Sequence, residues 1–161
     1  MMDFFEKTGI VFSGSVKLAD IGSAFLAAHG TRADNVRWDV EAPEILQHQL
    51  WGLPADIWAL ACTMLELVTG RASFMPQLGR QSWTDQLWLD EIGGKLAGDQ
   101  HSGENFGRNL REFLEEGTKG DLADDAVDAL AEMLVGMLRC DPEARLEIDE
   151  VRCLCMGAMK V

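Results

Sequence analysis

Cysteine, histidine and carboxylate are the side chains in this sequence that could hold a metal or form a covalent link, and their spacing decides which of these is open. Cys62, Cys140, Cys153 and Cys155 form no CxxC pair and stand at no metal-ligand spacing from His29, His48 or His101. A zinc site is therefore not expected. No signal-peptide pattern opens the sequence, so the thiols are expected to be reduced and the protein intracellular, in cytoplasm or nucleus. Among the carboxylates, Asp20 shortly before Gly22 reads on its own as a turn former. Asp56 opens a long apolar run, where a negative charge suits the positive end of a helix dipole. Glu44 and Arg145, taken singly, read as surface charges.

These groups have to be carried by one domain: the chain has 161 residues, of which 47% are hydrophobic, the balance of an ordinary globular protein. It carries 27 acidic against 14 basic residues, a formal net charge of -13, and the basic residues do not cluster. A nucleic-acid backbone or an anionic membrane surface would be repelled, so neither is expected as a partner.

The organising element is Pro54 to Gly70. Between Asp56 and Val68 only Asp56, Thr63 and Glu66 are polar, and at helical pitch they form one narrow strip. The rest, including Ile57, Trp58, Leu60, Met64, Leu65 and Leu67, is expected to face protein, so this helix reads as a buried central post. Pro54 suits a first helical turn and Gly70 a left-handed closing residue. The run is shorter than the roughly 20 apolar residues that a bilayer requires.

Around the post, Ile10 to Ala19 gives a small β-hairpin signal, with Val16 and Leu18 alternating about Lys17. Asp20 to Asn35 lacks periodicity and is expected to be a long surface loop. Glu44 to Gln49 predicts a short helix. Trp83 to Leu96 places Leu87, Trp88, Ile92 and Leu96 at helical spacing, with Gly93 and Gly94 as possible early stops. A loop is expected over Asp99 to Gly107, then a short helix over Asn109 to Glu116 ended at Gly117. Asp121 to Arg139 predicts an amphipathic helix with Val127, Leu130, Leu134, Met137 and Leu138 on one stripe, and Ile148 to Met159 a last helix. The expected class is mainly α with a short N-terminal β-hairpin.

Four stretches stand in a fixed order along these elements: Ala19-Asp20-Ile21-Gly22, Ala42-Pro43-Glu44, Asp56-Ile57-Trp58 and Asp141-Pro142-Glu143-Ala144-Arg145. Together they resemble the C-terminal lobe of a eukaryotic protein kinase. VKLADIGSA and ADIWALACTMLELVTG look most like the SR-protein-specific serine/threonine kinases, and the resemblance covers roughly Ile10 to Met159. It implies a single partial kinase domain over residues 1–161, from the DFG-type motif to the last helix, with residues 1–9 poorly defined. By position Asp20 corresponds to the aspartate that holds Mg²⁺ between the ATP phosphates. Glu44 matches the APE glutamate and Arg145 the arginine that pairs with it. Asp56 matches the buried aspartate that holds the catalytic loop's backbone, and Trp58 follows it in the core.

The same comparison implies what is missing. No Gly-rich loop, no V-A-I-K strand and no H-R-D triplet occurs in this sequence. Gly9 stands about where the second metal ligand belongs, Phe4 stands near the position of the catalytic Asp, and Asp3 is one place out. Arg37 and Val40 replace the Thr and Tyr common in the substrate-binding turn. ATP and Mg²⁺, which the family uses, are thus expected not to bind usefully to this chain alone. The expected identity is a kinase C-lobe fragment without phosphotransferase activity of its own. The alternative is an inactive scaffold for basic or Arg/Ser-rich partners. An apolar roof of Ile10 to Phe12 and Ile21 is expected to need a missing N-lobe or another protein to cover it.

Overall fold

Leu53–Thr69 forms the longest helix of the computed structural model, which describes residue 24 and residues 40–74, 84–96 and 104–158. The hairpin expected over Ile10 to Ala19, Asp20 and all but Ala24 of the loop after it lie outside the described residues. Among the described residues six α-helices stand in order, with a turn of 3₁₀ helix between the last two. They are α1 (Pro43–Leu46), α2 (Leu53–Thr69), α3 (Asp85–Leu96), α4 (Glu104–Thr118), α5 (Asp124–Met137), the 3₁₀ turn (Pro142–Ala144) and α6 (Ile148–Ala158). Among the described residues there is no β-sheet.

The ends of α2 follow its sequence. Pro54 sits in the first turn, and Gly70 closes the helix at φ 68°, donating its N–H to Glu66 O at 2.8 Å. A side chain with a Cβ is disfavoured at that backbone conformation. Ala55, Ile57, Trp58, Ala61, Cys62 and Leu65 are buried, each large one contributing about 1.5–3 kcal/mol through removal from water. α4, α5 and the 3₁₀ turn pack against α2. The chain after Gly70 folds back as well: Phe74 stacks on Trp58 with ring centroids 5.4 Å apart, and Ser73 Oγ donates to Cys62 O at 3.3 Å.

One expectation for this helix fails. Leu60 is 38% exposed and Leu67 78% exposed, so α2 is a post packed on one side and open on the other. Its partners gather on the Trp58, Cys62 and Leu65 face, and the strip carrying Asp56 and Thr63 also carries these leucines.

α4 is longer than its sequence predicts, running through Gly107 and Gly117 to stop at Thr118. Lys119 and Gly120 then adopt positive φ values of 52° and 80°. Tertiary packing overrides glycine's poor helix propensity at Gly117, because α4 lies so close to α2 that a side chain there would collide with Thr69. α3 likewise continues past Gly93 and Gly94, burying Trp88, Ile92 and Leu96. It packs against α1 and α4. α5 begins at Asp124 and not at Asp121, with Val127, Ala131, Leu134 and Met137 buried, and α6 packs on it through Val151.

Candidate functional site

Arg145 makes four hydrogen bonds to three separated points of the chain. Its Nη1 donates to Glu44 Oε1 at 2.8 Å and to Pro54 O at 2.6 Å, its Nη2 to Glu44 Oε2 at 2.9 Å, and its Nε to Arg139 O at 3.0 Å. The fork-on-fork pairing with Glu44 uses the planar geometry that guanidinium and carboxylate share. Both side chains are almost wholly buried, at 0% and 2% exposure. The guanidinium carbon also sits 5.3 Å from the ring centre of Trp58, a cation over an aromatic face.

Local structure places each partner. Pro43 starts α1 and aims Glu44 inward from its first turn. Asp141 accepts from Glu143 N at 3.0 Å to cap the 3₁₀ turn, and Arg145 follows directly in extended conformation. Leu146 N then bonds to Gly136 O at 3.1 Å, fixing the turn against α5. The arrangement ties α1, the start of α2 and the end of α5 into one buried polar knot. It has no acid or base poised for proton transfer, so its chemistry is structural. Trp58 Nε1 is buried with no hydrogen-bond partner among the described residues.

Asp56 lies in the first turn of α2, two residues after Pro54. The resemblance implies a buried aspartate here, whereas this one is exposed. Partial desolvation by the surrounding protein nevertheless pushes its carboxyl above the usual carboxylate range. Among the described residues it has neither a hydrogen bond nor an ion pair. Asp20, the residue matched to the Mg²⁺ ligand, lies outside the described residues. Within them no group of three or more His, Cys, Asp or Glu side chains is placed to hold a metal.

Contacts not foreseen from sequence reinforce the packing around α2. Lys95 donates to Ser73 O at 2.8 Å and pairs with Glu91 at 2.9 Å while its ammonium lies 5.8 Å from the Phe74 ring centre. Arg111 bridges Glu115 on its own helix and Asp128 on α5, both at 2.8 Å. Glu91 with Lys95 and Arg111 with Glu115 follow the i,i+4 spacing, a signal available in the sequence; the contact to Asp128 needed the fold.

A one-sided helical assembly locked by a buried APE-type glutamate and a distant arginine is the arrangement expected of a kinase C-lobe. The family model described as protein kinase domain matches residues 7–154, and the chain belongs to the protein kinase family. Its similarity runs to the SR-protein kinases. Serine/threonine-protein kinase spk-1 of Caenorhabditis elegans is 35% identical over 99 residues, which are 62% of this chain and 10% of that protein. Serine/threonine-protein kinase SKY1 of Saccharomyces cerevisiae is 36% identical over 78 residues, 48% of this chain and 10% of that protein. SRSF protein kinase 3 of Homo sapiens is 34% identical over 100 residues, 62% of this chain and 18% of that protein. The matches thus span at most about a fifth of these relatives' length.

Proposed function

We propose that this chain is the C-lobe part of an SR-protein-kinase-like serine/threonine kinase domain, and that alone it transfers no phosphate. The observation that carries this reading is a contrast. The buried Glu44–Arg145 pair, which in this family ties the activation loop to the last helices, is fully built. Of the residues for chemistry, by contrast, only Asp20 has a counterpart in the sequence: there is no Gly-rich loop, no strand lysine and no H-R-D. Phosphoryl transfer is mostly positioning and charge stabilisation, and one carboxylate at Asp20 cannot replace a phosphate cradle, a base and a second metal ligand. ATP-dependent phosphorylation therefore requires those parts from elsewhere, such as an N-lobe on another polypeptide.

Calorimetric titration of the purified chain with Mg·ATP, together with a phosphotransfer assay on an Arg/Ser-repeat peptide, tests this. No heat and no transfer are expected. Micromolar Mg·ATP binding by a monomer would overturn the reading and require a nucleotide site of another kind.

A second reading, an inactive scaffold for basic or Arg/Ser-rich partners, is favoured by the net charge of -13 and by exposed acids such as Asp90 on α3. The four cysteines, none of them in a disulfide, and the kinship support a cytoplasmic or nuclear setting. No helix among the described residues is long and apolar enough to cross a membrane.

A further inference from the structure

We draw no further inference here: the strongest candidate, the side-chain cluster in which the buried indole Nε1 of Trp58 has no hydrogen-bond partner among the described residues while the Arg145 guanidinium carbon lies 5.3 Å from its ring centre, belongs to the Glu44–Arg145 knot already described.

Discussion

Gly117 of α4 and Thr69 of α2 lie so close that a Cβ placed on Gly117 would fall 2.4 Å from Thr69 Cβ and 2.8 Å from its Cα. The obstacle includes backbone, so it cannot swing aside as a flexible side chain would. Thr69 is itself held in place, its hydroxyl bonded to Leu65 O at 2.7 Å.

Gly117→Ala should therefore destabilise the protein by about 1–3 kcal/mol, as overpacking does, despite alanine's better helix propensity. Gly94→Ala in α3 provides the opposite case, since nothing lies within 4 Å of a Cβ there. It should stabilise by about 0.5–1 kcal/mol. Chemical denaturation of both variants checks the pair; equal signs would mean that α2 and α4 do not approach as described.

Glu44→Ala and Arg145→Ala should each cost about 3–5 kcal/mol, because each strands a buried charge. The double variant should cost less than the sum. Arg145→Lys should also be damaging, since an ammonium cannot reproduce the two parallel bonds to Glu44 or span Pro54 O and Arg139 O together. Additive losses in a denaturation cycle would show the two residues to be energetically independent.

Asp56 offers a pH signature. Its carboxyl is raised in the folded state by desolvation, so between the unfolded and folded pKa values the native protein holds more protons. Stability from this group is then greatest in acid and falls as pH rises through the raised folded value. The stability difference between the wild type and Asp56→Asn should shift against the wild type over that interval and level off above it. Urea titrations from pH 3 to 7 would show this; a difference that moved in the wild type's favour with rising pH would mean that Asp56 is stabilised as a carboxylate.

The scaffold reading predicts that an Arg/Ser-repeat peptide binds more tightly than a Lys-substituted, scrambled control, and that part of the difference survives physiological salt. Generic charge attraction would be screened and would not distinguish the two. Titration of both labelled peptides at low and physiological salt decides between these outcomes.

Local periodicity made much of the fold legible. Pro54 and Gly70 mark α2 to within a residue, and the stripe from Val127 to Met137 places α5, because both rest on signals within a few turns. α4 was misjudged because Gly107 and Gly117 read locally as breakers, whereas the pressure that demands a glycine at Gly117 comes from Thr69 on another helix. The exposure of Leu60 and Leu67 was missed for a related reason: hydrophobicity says that a face can be buried but does not say what covers it. For the candidate site, no local pattern links Glu44 to Arg145. The four ordered motifs pointed to that pair, and its distances and the added bonds to Pro54 and Arg139 needed the fold. Asp20, Trp83 and the Ile10 to Phe12 roof lie outside the described residues.

The 101 positions between Glu44 and Arg145 also set a schedule for the nascent protein. A ribosome adding residues at ordinary speed needs roughly 5–20 s to make that interval. Until it has done so, a carboxylate destined for the interior has only water for company. α2, α4 and α5 can gather before then, but α1 gains its anchor only once Arg145 has been made. Ribosome-bound chains stalled before residue 145 should leave α1 open to protease, and those stalled well beyond it should protect it.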